Sequence, residues 1–220
     1  IPIIRPLQTS LAPDEIDEIS GILNGTTNFI LTEMTENGSD FDSVLKDAQA
    51  KGYAEADPTA DVEGYDACRK IAILTSLAYG KQLDFEDIYT EGITKITDRD
   101  IKYAAKLKAK VKIFGSSKLA GDKVSAMVAP KLITHDHPLY SVDGVFNAIL
   151  VKGNMVGDVM FYGQGAGKLA TASAVVSDIM EASENLDNNI NVIWSDEKLE
   201  LMPMDEVVSK FFVRVSGNKA

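Results

Sequence analysis

Hydrophobic residues recur at steps of three and four positions through much of the first half of the chain, the spacing of one helix face. Over residues 14–33 the recurring apolar side chains are Ile16, Ile19, Leu23 and Ile30. Residues 24–28, NGTTN, interrupt this face, because Gly costs about 1 kcal/mol in a helix interior relative to Ala and because Asn and Thr compete for backbone hydrogen bonds. The pattern predicts a kinked helix, or two helices that meet at residues 24–28.

Further helical segments have recognisable starts or ends. The predicted helices are residues 41–51, 57–80, 97–110 and one that begins after Gly163 and runs to about Leu186, with a candidate strand at residues 88–96. Gly52 stands where a left-handed cap residue would end the first of these helices, and the second runs to Gly80. Asp57 is a favourable N-cap for the longest one, and Pro58 is a favourable first helical residue.

The second half of the chain has the pattern of consecutive hairpins. The predicted strands are residues 110–116, 123–134, 145–152 and 155–162, with an isolated one at residues 211–215. The pair Gly153-Asn154 predicts a two-residue turn, because both residues tolerate positive φ. Helices grouped before hairpins predict an α+β fold, with a mixed, largely antiparallel sheet and helices packed on one face.

Composition narrows the functional classes. The 220 residues are 45% hydrophobic and 25% charged, which is sufficient for a sizeable core. The 22 basic and 33 acidic residues give a net charge of −11, so we expect no nucleic-acid or membrane partner. Without a long apolar run or a signal-peptide pattern, a cytoplasmic location is expected. Cys68, His135 and His137 lack zinc-ligand spacing.

Asp66 and Lys70 lie four residues apart on the longest predicted helix, so their side chains share one face. The simplest interpretation is a surface ion pair worth about 0.3 kcal/mol. Four more carboxylates lie nearby, at Glu55, Asp57, Asp61 and Glu63. A lysine beside carboxylates can transfer a proton at a substrate oxygen, while carboxylates bind an ammonium group or a Mg²⁺ or Ca²⁺ ion. The cluster is a candidate active site or a candidate metal site.

Residues 163–168, GQGAGK, follow a predicted strand and open a predicted helix, a place where backbone N–H groups can bind an anion. The Rossmann fingerprint requires two residues between its second and third glycines, and only Ala166 stands there. A P-loop requires Ser or Thr after its lysine, and Leu169 stands there. Spacing alone favours a tight turn between strand and helix.

Three sequence blocks are more specific than these spacings. They are GILNGTTNFIL at residues 21–31, GYAEADP at residues 52–58 leading to Asp61, Gly64, Asp66, Arg69 and Lys70, and GAG at residues 165–167 followed by TASAVV at residues 171–176. Together they resemble homoserine dehydrogenase over residues 1–182. The resemblance implies reversible hydride transfer between NAD(P)H and the aldehyde of aspartate 4-semialdehyde, which makes homoserine for threonine and methionine synthesis.

The resemblance also implies roles for single residues. Lys70 is expected to donate a proton to the aldehyde oxygen, with Asp66 as the second catalytic residue. Glu55 and Asp66 are expected to bind the substrate through its ammonium and reacting hydroxyl. Gly52 and Gly167 match positions where the backbone approaches the nicotinamide end of NADP or NAD.

Other expectations concern the rest of the protein. Ile1 matches a residue whose backbone carbonyl binds a monovalent cation, with Na⁺ expected. Residues 1–187 are expected to be the catalytic and dimerisation domain, and residues 188–220 a linker and the start of an ACT-like regulatory domain. The sequence lacks the family's Rossmann domain, which selects NAD or NADP, so these residues alone are expected to be inactive. The hairpin over residues 145–162 carries apolar residues on both alternations, which predicts a homodimer formed through the sheet.

Two other functional classes fit the same residues. A carboxylate-rich metal-binding domain would use Glu55, Asp57, Asp61 and Asp66 without redox chemistry. A pure dimerisation module would explain the sheet and the absence of a dinucleotide fingerprint, and it predicts that removing Lys70 changes nothing.

Overall fold

The computed structural model describes residues 1–186, 188 and 195–215. Its helices are α1 (Ile4–Gln8), α2 (Gly25–Asn37), α3 (Phe41–Ala50), α4 (Thr59–Val62), α5 (Tyr65–Tyr79), α6 (Asp98–Lys106) and α7 (Lys168–Glu184). Its strands are β1 (Ile16–Ile22), β2 (Lys81–Gln82), β3 (Tyr89–Thr90), β4 (Ala109–Ala120), β5 (Lys123–Thr134), β6 (Phe146–Gly153), β7 (Gly157–Gln164) and β8 (Ser195–Lys198). Among these described strands, six form one sheet in the order β3-β5-β4-β1-β6-β7. Its neighbouring strands are antiparallel apart from the parallel pair β3 and β5, so the predicted α+β fold is confirmed.

The central strand β1 occupies the first half of the helix predicted over residues 14–33, so that part of the prediction is wrong. β1 lies between β4 and β6 and is buried on both faces, with Ile19 in the main core and Ile22 in a cluster on the opposite face. A strand covered on both faces lacks simple apolar alternation, and its buried isoleucines fall at helix-like steps. The predicted break is correct, because α2 begins directly after Asn24, whose side chain accepts a hydrogen bond from the Thr27 N–H.

The helix predicted from Asp57 to Gly80 is divided in two. α4 and α5 are separated at Gly64, whose φ of +83° is a left-handed conformation that glycine adopts without steric cost. Asp57 is not the N-cap of the long helix, because its carboxylate accepts hydrogen bonds from the backbone N–H and hydroxyl of Thr59 in the turn before α4. The break separates the helix that carries Asp61 from the helix that carries Asp66.

Both predicted hairpins are present, and one turn is displaced. β4 pairs with β5 along its whole length. In the other hairpin Gly153 pairs with Gly157, so the turn consists of residues 154–156 rather than Gly153-Asn154. The Asp14 carboxylate accepts hydrogen bonds from the backbone N–H groups of the two residues after Asn154, which stabilises this three-residue turn.

Two predicted strands differ from the structure. Within residues 88–96, β3 contains only Tyr89–Thr90, because the chain then leaves the sheet and the Ile93 N–H donates to the Val62 carbonyl of α4. Residues 211–215 form no strand, since no described strand pairs with them.

Helices α2, α5 and α6 contact the sheet on one face, where the main hydrophobic core lies. A smaller cluster on the opposite face consists of Ile22, Phe114, Ile133, Leu139, Val142 and Ala148. Two of these residues, Leu139 and Val142, come from the segment after β5. At the β7 edge of this face, Met160 is 45% exposed and Tyr162 is 52% exposed. This face is therefore only partly covered.

The C-terminal part of the described chain consists mainly of α7 and of residues 195–215, some of which pair with the strands that precede α7. No residue of α7, a helix described throughout, is buried. Within residues 195–215, β8 pairs with β2, and Leu201 forms an isolated β-bridge with Val124 of β5. The predicted domain boundary between residues 187 and 188 falls beside residues that lie outside the described part of the chain, namely 187 and 189–194. Residues 216–220 also lie outside it.

A search of the described helices for one long and apolar enough to cross a membrane finds none.

Candidate active site

A cavity of about 770 Å³ opens where β1 passes into α2, and it contains most of the residues singled out above. Its walls are formed by Ile1, Ile3, Ile4, Leu23, Asn24, Gly25, Thr26, Lys51, Gly52, Tyr53, Asp61, Asp66, Lys70, Ile73, Leu74, Val145, Asn147, Ile149, Gln164, Gly165, Ala166 and Gly167. The volume is within the range of small-molecule sites, and a mostly apolar wall with a few polar groups is typical of them.

Lys70 and Asp66 meet inside this cavity on the first turns of α5. The Lys70 Nζ donates hydrogen bonds to Asp66 Oδ2 at 2.6 Å and to the Leu23 carbonyl at 3.1 Å. The Lys70 side chain is 50% exposed and that of Asp66 is 30% exposed, so a small molecule can reach both. Two acceptors orient the ammonium and leave one of its three donors free for a ligand oxygen.

Asn24 connects the two helices that the Gly64 break separates. Its Nδ2 donates to Asp61 Oδ1 at 2.7 Å and to Asp66 Oδ2 at 2.9 Å. Its Oδ1 accepts from the Thr27 N–H at 2.9 Å as the cap of α2. One amide therefore fixes two carboxylates and a helix start in the same place.

Sequence reasoning had placed Asp61 in the carboxylate cluster but had given Asn24 no role at the site. The available signal was its position directly before Gly25-Thr26-Thr27, since Asn is a preferred N-cap residue.

The N-terminus of α2 forms one wall. Gly25 and Thr26 line the cavity, and the Thr26 hydroxyl donates to the Tyr53 carbonyl at 2.6 Å. This bond holds the loop after α3 against α2, and an edge-to-face contact between Phe29 and Tyr53, with ring centroids 5.0 Å apart, supports it. A helix N-terminus favours an anionic group nearby.

Gly52 and Gly167 both line the cavity, as the expected cofactor role requires. No atom lies within 4 Å of the point where a Cβ would stand on either glycine, and both have positive φ, +75° and +106°. A flat ring could therefore approach the backbone at both positions. Gly165 differs, because a Cβ there would lie 2.9 Å from Asn147 Oδ1.

Asn147 is a further wall residue that the sequence reasoning did not identify. It is buried, and its Nδ2 donates to the Ile22 carbonyl at 3.1 Å. This bond ties the start of β6 to the end of β1.

One predicted site residue, Glu55, is placed differently from the rest. Glu55 is exposed and does not line the cavity, although it follows Tyr53 on the same loop, where its carbonyl accepts a hydrogen bond from Gln49 Nε2 at 3.0 Å. Ile1 lines the cavity, as the other predicted site residues do.

The described residues contain no group of three or more His, Cys, Asp or Glu side chains that could hold a metal ion. The expected binding of a monovalent cation by the Ile1 backbone carbonyl stays a prediction. Asp57 is occupied with Thr59, and Asp61 and Asp66 are held by the Asn24 amide.

The contacts of Cys68 and His137 are typical of residues with a structural role. The Cys68 thiol lies 3.3 Å from the Phe85 carbonyl, and burial raises its pKa, so it is a poor nucleophile. The His137 ring accepts the Leu139 N–H at 3.1 Å and lies against Phe114, and burial lowers its pKa.

The family model of homoserine dehydrogenase matches residues 2–180. The chain belongs to the homoserine dehydrogenase family. Homoserine dehydrogenase of Neisseria gonorrhoeae is 45% identical over 225 residues, which cover 99% of this chain and 52% of that protein. Homoserine dehydrogenase of Bacillus subtilis is 47% identical over 186 residues, 84% of this chain and 43% of that protein.

Solved homoserine dehydrogenases have the same fold. The crystal structure of the Thiobacillus denitrificans protein superposes with a TM-score of 0.87 at 41% identity, covering 94% of this chain and 50% of that one. A hyperthermophilic archaeal homoserine dehydrogenase mutant in complex with NADPH has a TM-score of 0.71 at 32% identity, covering 86% of this chain and 54% of that one. The chain spans about half the length of the curated relatives it matches.

Proposed function

We propose that these residues are the catalytic region of a homoserine dehydrogenase, an oxidoreductase of amino-acid biosynthesis that interconverts aspartate 4-semialdehyde and homoserine with NADPH or NADH. The observation that carries the proposal is the Lys70 ammonium, held between Asp66 and the Leu23 carbonyl inside a cavity. Two open glycine positions border that same cavity. Family membership supports it.

Lys70 donates the proton in the reducing direction. As a hydride reaches the carbonyl carbon, the C=O bond becomes a C–O bond and negative charge develops on oxygen. The free N–H of Lys70 meets this oxygen and transfers a proton to it, which yields the hydroxyl of homoserine. Asp66, at 2.6 Å, keeps the Lys70 ammonium in place for this step.

The other end of the substrate carries an ammonium and a carboxylate. Asp66 and Glu55 bind the ammonium in this proposal, and Asp61 lies beside Asp66 through the shared Asn24 amide. The carboxylate lies at the N-terminus of α2, where Gly25 and Thr26 line the cavity. Because Glu55 is exposed and does not line the cavity, this role requires its side chain to turn toward the cavity when substrate binds.

The cofactor, when bound, supplies or accepts the hydride. Gly52 and Gly167 leave room for its nicotinamide end, since no atom occupies the space in front of either backbone. We further propose that residues 1–187 form the catalytic domain, that residues 188–220 lead toward a regulatory domain of ACT type, and that the enzyme is cytoplasmic. A metal-binding function has no comparable support, because Asp57, Asp61 and Asp66 already have partners.

The partly covered sheet face predicts a homodimer. Tyr162 stacks on Phe146 at 5.1 Å, and with Met160 it forms an exposed apolar patch on β6 and β7. We expect light scattering to give a dimer at micromolar concentration and Tyr162→Glu to give a monomer. Tyr103→Glu, on the exposed surface of α6, is the control that stays dimeric. A monomeric wild-type chain would contradict the prediction.

The function is tested by comparing these 220 residues with a longer enzyme in which they follow a nucleotide-binding domain. Two open glycines cannot hold a pyrophosphate and an adenosine, and losing that anchorage removes an orientation effect of about 7 kcal/mol or more. We expect the 220 residues to show no saturable NADPH fluorescence titration below millimolar concentration and no homoserine oxidation. The longer enzyme should reduce NADP⁺ or NAD⁺ when homoserine is added. Tight NADPH binding by the 220 residues would contradict the assigned cofactor position, and a longer enzyme inactive on homoserine would contradict the function.

A further inference from the structure

Lys112 is a buried lysine near the start of β4, and it has no role in the candidate site described above. Its side chain is 1% exposed, and burial lowers its pKa. The Nζ donates to three acceptors: the Val142 carbonyl at 2.7 Å, Asp143 Oδ1 at 2.8 Å and Asn28 Oδ1 at 3.0 Å. Burying an ammonium group costs free energy unless all three of its N–H donors are satisfied, and these three acceptors satisfy them.

Asn28, which accepts a hydrogen bond from Lys112, is itself hydrogen-bonded to the segment that leads into β6. Its Nδ2 donates to the Val142 carbonyl at 3.1 Å and to the Phe146 carbonyl at 2.9 Å, and the residue is 1% exposed. One turn further along α2, the Thr32 hydroxyl accepts the Gly144 N–H at 3.0 Å. Residues 142–146 are therefore attached to α2 by side-chain hydrogen bonds centred on Asn28.

Both elements that Asn28 joins end at the cavity. Asn28 is on the first turn of α2, which begins with Gly25 and Thr26 on the cavity wall. Val145 belongs to the 142–146 segment that Asn28 holds, and it also lines the cavity. The packing is close, because a Cβ on Gly25 would lie 2.8 Å from the Val145 carbonyl oxygen.

We propose that Lys112 is a positioning residue of the active site: its ammonium fixes Asn28 and the 142–146 segment, and thereby sets the distance between the α2 N-terminus and the Val145 wall. The effect on catalysis rests on the proposed function. None of the three residues that accept hydrogen bonds from Lys112 lines the cavity, so its influence passes through Asn28 and the 142–146 segment. An apolar core residue could fill the same space, but it would not fix the orientation of the Asn28 amide.

Lys110 provides a matched control. It lies two residues before Lys112 on β4, and its Nζ donates to the other oxygen of the same carboxylate, Asp143 Oδ2, at 2.7 Å. Lys110→Met and Lys112→Met each remove one positive charge and one ion pair with Asp143, and each leaves Asp143 the other lysine. Only Lys112→Met removes the contact with Asn28.

In the longer enzyme we expect Lys112→Met to lower kcat/KM for homoserine by about 10- to 100-fold, the range for a displaced binding wall, and Lys110→Met to stay within about threefold. The pH dependence of kcat should keep its wild-type shape, because Lys112 transfers no proton to substrate. In the 220 residues without ligand, amide exchange at Gly144 should accelerate at least about tenfold in Lys112→Met and not in Lys110→Met. Equal kcat/KM losses for the two variants, or unchanged Gly144 exchange, would overturn the proposal.

If Lys112→Met does not fold, Asn28→Asp tests the proposal in its place. The aspartate still accepts from Lys112 but cannot donate to the Val142 and Phe146 carbonyls, so we expect a similar loss of kcat/KM with the lysine in place. Wild-type kcat/KM in this variant would overturn the proposal. The exchange measurement is independent of catalysis, so an enzyme inactive on homoserine would reject the proposed function without rejecting the constraint on residues 142–146.

Discussion

Replacing Lys70 by methionine should lower kcat of the longer enzyme by about 10²- to 10⁴-fold, the usual effect of losing a positioned proton donor. Methionine keeps the length and packing of the side chain but cannot donate to the alkoxide that forms as hydride arrives. Substrate binding should suffer less than kcat, because Asp61 and Asp66 remain connected through Asn24.

A matched control for this variant is Lys102→Met. Lys102 forms the same four-residue pair with Asp98, at 2.9 Å, on the exposed surface of α6. Its loss should leave kcat within about twofold, as expected for a surface ion pair. Steady-state kinetics with homoserine measure both variants. Near-normal turnover in Lys70→Met would show that the lysine is only a surface ion pair or part of a dimerisation module.

Gly92→Ala should destabilise the fold by about 3 kcal/mol, a typical cost of overpacking a closed site. A Cβ at this position would lie 2.1 Å from the Val62 carbonyl oxygen and 2.4 Å from the Glu63 Cα. Both are backbone atoms of the junction between α4 and α5, so no side chain can rotate away. The same junction carries Asp61 and Asp66, and the variant should therefore also weaken the site.

Urea unfolding of the 220 residues measures this effect, and Gly121→Ala is the control. Gly121 has a φ of +70° in the β4–β5 turn, and no atom lies within 4 Å of its Cβ position, so only backbone strain of about 1 kcal/mol is expected. Equal losses in the two variants would mean that the contact of Gly92 with the α4–α5 junction does not determine stability.

The fold could be predicted from the sequence wherever one face of an element meets water. α3, β5 and β7 have that property, and their positions were predicted to within a few residues. β1 does not, because Ile19 and Ile22 are buried on opposite faces of the sheet and the spacing of its buried residues resembles that of a helix. The break at Gly64 adjoins the close approach of Gly92 to Val62 and Glu63, a contact between distant residues that no local pattern reveals.

The candidate site could be predicted only in part for a similar reason. Asp66 and Lys70 share one helix, so their four-residue spacing predicted their contact. Asn24 meets Asp61 and Asp66 from another element, and Lys112 reaches Asn28 across 84 positions of sequence. Such contacts depend on the packing of β1, β4 and α2, which spacing rules do not describe.

The most direct test of the central claim is a crystal structure of the longer enzyme with L-homoserine and NADP⁺. The account predicts that the substrate hydroxyl lies about 3 Å from Lys70 Nζ, within reach of proton transfer, with its ammonium beside Asp66 and the nicotinamide ring next to Gly52 and Gly167. Homoserine bound outside the cavity, or bound inside it with the hydroxyl beyond hydrogen-bond distance of Lys70, would contradict the account.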